Sequence, residues 1–184
     1  MRKKLFIASI LTSFFVVNSC QLNEVLKPNI IWLVLEDQSQ YFFPFYGDNT
    51  LELKNINQLL DNGIVYEGMN SPYPVCAPSR SAIITGMYPN SIGTGNQRAY
   101  SYYRAEREEH EKQLGFPFYS SKFAEQIKPF TQILRENGYY TSNNSKEDYN
   151  FKLTKEAWDD SSRNASWENR NGSVPFFSVF NFGI

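Results

Sequence analysis

The sequence, 184 residues long, predicts an α/β fold: a mainly parallel sheet flanked by helices. Three observations carry that expectation. Ile30-Ile31-Trp32-Leu33-Val34-Leu35 is continuously apolar, the pattern of a strand covered on both faces. Segments of strand and helix character then alternate along the chain. Late in the sequence, Val174-Pro175-Phe176-Phe177-Ser178-Val179-Phe180-Asn181-Phe182 reads as another buried strand.

The elements follow in order. Pro28-Asn29 introduces the first strand, which runs straight into Glu36-Asp37. Residues 51–61 carry Leu53, Ile56, Leu59 and Leu60 at helical spacing, with Gly63 placed to end the helix. Ile64-Val65-Tyr66 has the composition of a short strand. Residues 79–85 form a short helix, started by Pro78 and stopped by Gly86. The charged residues 103–114 suit a solvated helix face, and the lone His110 within them has no catalytic neighbour in sequence. Residues 130–137 make a further helix, Gly138 its stop and Tyr139-Tyr140-Thr141 the strand that follows, whereas residues 159–173 read as polar surface loop.

Composition excludes several functions. Lys and Arg number 18 against 19 Asp and Glu, and removing Arg2, Lys3 and Lys4 with a cleaved leader leaves 15 against 19. A mildly acidic chain lacks the broad basic face that nucleic-acid binding needs, so no nucleic-acid partner is expected. One histidine and two cysteines exclude a zinc site of several His and Cys ligands, and a disulfide framework.

The first residues have the three parts of an export signal. Arg2-Lys3-Lys4 is followed by the apolar stretch 5–17, too short to span a bilayer comfortably, and then by Val17-Asn18-Ser19-Cys20. That ending resembles a bacterial lipobox, which implies a signal peptide over 1–19, Cys20 as the lipidated residue, and a short linker over 20–27. An uncleaved apolar anchor with an incidental cysteine is the alternative. Either way the protein is expected outside the cytoplasm, in the periplasm or at the cell surface, held to the membrane through its lipid. At the other end, a buried strand needs neighbours on both sides, so a chain ending within one is expected to be the front part of a longer protein.

Two places carry chemistry. Glu36 and Asp37 stand at the carboxyl end of the first strand, where open α/β sheets bind ligands, and hard carboxylate oxygens there suit Ca²⁺ or Mg²⁺. An acidic surface loop accounts for the pair equally well. The second place is Cys76, just ahead of a helix whose first turn holds Arg80. Free amides and the positive helix end form an anion site and favour an oxyanion on the cysteine side chain, and Arg80 adds a planar fork matched to tetrahedral oxyanions. A buried structural cysteine near a helix cap is the plainer alternative.

Cys76-Ala77-Pro78-Ser79-Arg80, followed by Thr85-Gly86, resembles the C-x-P-S-R…T-G element of the type I sulfatases, in the alkaline-phosphatase-like superfamily. Pro28 to Asp37 resembles that family's first strand and calcium-binding acidic pair. Gly86-Met87-Tyr88-Pro89, Leu134 to Thr141 with Lys146, and the strand at Pro175 to Phe182 resemble its later segments in the same order. Residues 28–184 would then be the N-terminal part of a sulfatase catalytic domain.

The resemblance implies a mechanism. A separate formylglycine-generating maturase oxidises the motif cysteine, here Cys76, to formylglycine, whose hydrate is the nucleophile. One gem-diol oxygen attacks sulfur and releases the alcohol; the other collapses to the aldehyde and expels sulfate. Carried over to this chain, Arg80 holds the hydrate, Glu36, Asp37 and Cys76 contact Ca²⁺ in preference to Mg²⁺, and Lys146 meets the sulfate of a sulfated glycan. Two positions depart from the pattern: Glu36 stands where many members have Asp, and Asp148 where many have a histidine. The family's further histidine, second pair of metal ligands and second lysine lie beyond the stretch matched by residue 182. Two alternatives remain: a truncated, catalytically incompetent fragment, or a phosphate or phosphonate esterase of the same superfamily.

Overall fold

The computed structural model describes residues 26–97, 104–123 and 125–183. Within them β1 (Ile30–Leu35), β2 (Tyr140–Asn144), β3 (Asp160–Ser161) and β4 (Phe176–Phe182) form one sheet, in the order β1-β4-β2-β3 with every pair parallel. The helices are α1 (Lys54–Asn62), α2 (Cys76–Thr85), α3 (Arg104–Leu114) and α4 (Phe130–Glu136). The fold is therefore the α/β arrangement the sequence predicts. Among the described residues no helix is long and apolar enough to cross a membrane.

The late strand, β4, lies at the centre. Trp32 of β1 and Asn143 of β2 both register with Val179, and Phe176, Phe177, Ser178 and Val179 are all buried. Its two faces meet different partners. Phe177 and Val179 join Ile84, Phe151, Ala157 and Trp158 in the core, with Phe130 and Leu134 of α4 packed against them. Phe177 meets the Phe130 ring at 5.2 Å and the Trp32 ring at 4.9 Å, both edge to face, the preferred aromatic geometry. On the opposite face, Phe176 and Phe180 contact Trp167, and the Ser142 and Ser178 hydroxyls share a 2.6 Å hydrogen bond.

Several expectations are corrected. β1 was expected to be covered on both faces, but it is an edge strand, and Ile31, Leu33 and Leu35 are 48, 56 and 46 % exposed. Those three residues alternate along the strand and so share one face, which is only half covered among the described residues. Residues 64–66 form no strand, and Ile64 and Tyr66 are exposed. Residues 159–173 are more than surface loop: they supply β3, buried Ala165 and the 3₁₀ turn Trp167–Asn169 that covers β4.

α2 begins at Cys76 rather than at residue 79. Proline is tolerated at its third position because the first amides of a helix have no intrahelical acceptor, and Ser79 N–H already reaches Val75 O at 3.1 Å. Gly86 ends the helix as the sequence predicts, at φ 66° with its N–H on Ala82 O. Ala77, Ser81 and Ala82 are buried, and their small side chains let the helix lie close to its neighbours. Ser81 Oγ accepts the Asn150 N–H at 3.1 Å, fastening the segment after β2 to α2.

Candidate active site

The carboxyl ends of β1, β2 and β4 converge beside the start of α2, the place where ligands bind in open α/β sheets. Glu36 directly follows β1, and its N–H donates to Phe182 O at 2.9 Å, so β4 continues to hold the chain there. Gly183 makes room for the Glu36 carboxylate: a Cβ on that glycine would stand 2.5 Å from Glu36 Oε2. At Asp37 the backbone turns out of the strand with φ 54°, and its side chain is exposed.

α2 brings Cys76 and Arg80 one turn apart on one helix face. Arg80 reaches across to the segment after β2. Its Nε donates to Glu147 O at 3.1 Å, and its Nη2 donates to Lys146 O and, at 2.9 Å, to Asn181 Oδ1. Asn181 in turn donates to Asn143 Oδ1 at 2.9 Å and Asn144 O at 3.0 Å. The guanidinium thus fixes the backbone that carries Lys146 and Asp148. Tyr149 follows; burial pushes its hydroxyl well above the ordinary phenol range, against the opposing pull of Arg80.

The Lys146 ammonium forms an ion pair with Glu36 and lies 3.5 Å from Asp148 Oδ2. Asp148 itself has φ 53°, and its side chain is 7 % exposed. Ligand atoms of Glu36, Cys76 and Asp148 all lie within 4.8 Å of one another, a spacing that fits one metal ion. The donor chemistry is conditional. Ca²⁺ takes oxygen, which the two carboxylates provide, whereas a thiol is a soft ligand. Replacing the Cys76 sulfur by oxygen would make the set uniform and hard.

The structure therefore brings together Glu36, Cys76, Arg80 and Lys146 from the sequence-predicted residues. Asp37 is not one of the three clustered donors, and Asp148 takes the third place. Cys20 lies outside the described residues. The aromatic residues Tyr41, Phe42, Phe45 and Tyr46 form exposed 3₁₀ turns. Sequence reasoning missed Asn181 and Gly183. An amide between Phe180 and Phe182 was the available signal for Asn181, because a polar side chain in an apolar strand needs a partner.

Comparison with known proteins identifies the family. The sulfatase family profile matches residues 28–179. The chain is 44 % identical over 156 residues to an ulvan-active sulfatase of Formosa agariphila, covering 85 % of this chain and 25 % of that protein. It is 30 % identical over 115 residues to human arylsulfatase D, covering 62 % of this chain and 18 % of that one. Among solved structures, BT4656 in complex with its substrate D-glucosamine-2-N,6-O-disulfate superposes with a TM-score of 0.59 at 17 % identity, covering 84 % of this chain and 34 % of that chain. At that identity the likeness is one of fold. The chain spans about a quarter of the length of the ulvan-active sulfatase it matches.

Proposed function

The chain belongs to the sulfatase family, and from that premise we propose that it carries the nucleophile and part of the anion site of a sulfuric ester hydrolase acting on a sulfated carbohydrate. The observation that carries the reading is the placement of Cys76 at the start of α2, within 4.8 Å of carboxylate oxygens of Glu36 and Asp148. The similarity to an ulvan-active sulfatase favours a sulfated polysaccharide or its fragments as substrate.

In this proposal a maturase converts Cys76 to formylglycine, and the hydrate presents oxygen to the sulfate ester. Amides at the start of α2 and the Arg80 guanidinium favour negative charge on that hydrate. Lys146 turns its ammonium to the sulfate, and the backbone clamp of Arg80 on residues 146 and 147 keeps it in place. Glu36 would hold Ca²⁺ (Mg²⁺ is the less suited ion), with Asp37 entering from the next position. Bound there, the ion supplies Lewis-acid polarisation of a sulfate oxygen. We further propose export by the leader over 1–19, and anchorage through Cys20.

A second reading is favoured by the apolar face of β1, where Ile31, Leu33 and Leu35 are 48, 56 and 46 % exposed among the described residues. In it the 184 residues by themselves bind sulfated glycan through Arg80 and Lys146 but do not turn it over. A phosphate or phosphonate esterase of the same superfamily would not need the cysteine. Mass spectrometry of the tryptic peptide containing Cys76, after co-expression with a maturase, separates the readings: formylglycine is about 18 Da lighter, since CH₂SH becomes CHO. Sulfate release that disappears in Cys76→Ala supports the enzyme. An unmodified peptide, or phosphate-ester turnover indifferent to Cys76→Ala, would defeat it.

A further inference from the structure

We propose that Asp148 is a metal ligand of this chain, and that Lys146 stands in the cation's place until the ion binds; this rests on the metal-site reading above. A carboxylate oxygen of Asp148 lies within 4.8 Å of ligand atoms of both Glu36 and Cys76, whereas Asp37 is absent from that group. The Lys146 ammonium joins the two carboxylates, paired with Glu36 and 3.5 Å from Asp148 Oδ2. A cation between two carboxylates is the arrangement a divalent ion would replace, matching both negative charges where Lys146 matches one. The Asp148 side chain is 7 % exposed, and a carboxylate so withdrawn from water needs close compensating charge.

The backbone holds Asp148 in position. Its φ of 53° is uncommon for a residue other than glycine and persists only where the surroundings enforce it. They do so here. Arg80 holds the carbonyls of Lys146 and Glu147 just before it, and Asn150 N–H is held by Ser81 Oγ just after it. Both anchors are residues of α2, the helix that also carries Cys76, so the third donor and the nucleophile precursor are fixed to one rigid element. On ion binding, Lys146 is released from Glu36 and becomes available to an anionic substrate.

Calcium titration calorimetry of the metal-free, full-length protein, matured so that residue 76 is formylglycine, tests this, with Glu36→Gln, Asp148→Asn and Lys146→Met variants whose folding is checked by circular dichroism. Asp148→Asn is expected to weaken binding roughly 10–100-fold, the range for disturbing a metal site. Lys146→Met is expected to tighten it, on the order of tenfold, because a competing cation is gone. If Glu36→Gln weakens binding and Asp148→Asn does not, the Asp148 assignment is overturned while the metal site stands. If the wild type binds no Ca²⁺, or neither carboxylate variant changes its affinity, the metal-site reading fails and the assignment with it. Should Asp148→Asn not fold, Lys146→Met decides alone: unchanged or weaker binding means that Lys146 merely neutralises Asp148.

Discussion

Asn181 joins the sheet to the segment that carries Lys146, and its removal gives the most direct measure of how that segment is held. The side chain makes three hydrogen bonds: from Arg80 Nη2 at 2.9 Å, to Asn143 Oδ1 at 2.9 Å and to Asn144 O at 3.0 Å. A bond to a charged group contributes about 1.5–3 kcal/mol and a neutral one about 0.5–1.5 kcal/mol. The full sum overstates the loss, because the three belong to one network and the strand end admits some water. Asn181→Ala should therefore cost about 2–4 kcal/mol, weighted towards the upper value because Asn143, only 1 % exposed, loses a partner. Urea unfolding of the full-length protein, followed by circular dichroism and tryptophan fluorescence, measures this as a lower midpoint at unchanged m. Asn181→Asp sharpens the test. It keeps the acceptor for Arg80 but sets a carboxylate against two oxygens, so it should destabilise at least as much as alanine. A loss below about 0.5 kcal/mol for alanine, or an aspartate variant as stable as wild type, would refute the claim that this network fixes the segment carrying Lys146.

Other outcomes follow from the same structure. Phe177→Ala should cost about 3–5 kcal/mol in unfolding free energy, since the ring is 2 % exposed and sits between Trp32, Phe130 and Trp158. Gly183→Ala would set a methyl carbon 2.5 Å from Glu36 Oε2, and the flexible carboxylate should move away at little cost in stability; calcium calorimetry should show weaker binding with the melting temperature nearly unchanged. The Arg107 side chain, and then the Phe118 N–H, hold the Glu111 carboxyl below the usual carboxylate range. A folded-state pKa below the unfolded one means the contribution is present above the ordinary glutamate range and lost as pH falls through the lowered value. Glu111→Gln should remove that part of the acid dependence, and NMR titration of the Glu111 carboxyl should show the downward shift directly.

What the sequence by itself determined was local. Apolar runs marked β1 and β4 because period and composition suffice for strands, and Gly86 and Gly138 marked element ends because the backbone has positive φ there. The Cys76 to Gly86 motif placed a cysteine and a guanidinium at a helix start, and the structure, by beginning that helix at Cys76, set the two one turn apart. The tertiary structure decided what depends on strand order and register. Which of two adjacent acidic residues turns to Cys76 cannot be read from Glu36-Asp37, since successive strand residues face opposite ways and Asp37 leaves the strand at φ 54°. Asp148 enters the donor set, and Asn181 becomes the clamp on Arg80, only because β4 inserts between β1 and β2 and brings their carboxyl ends to one place. Residues separated by a hundred positions meet through that pairing, and no spacing along the chain encodes it.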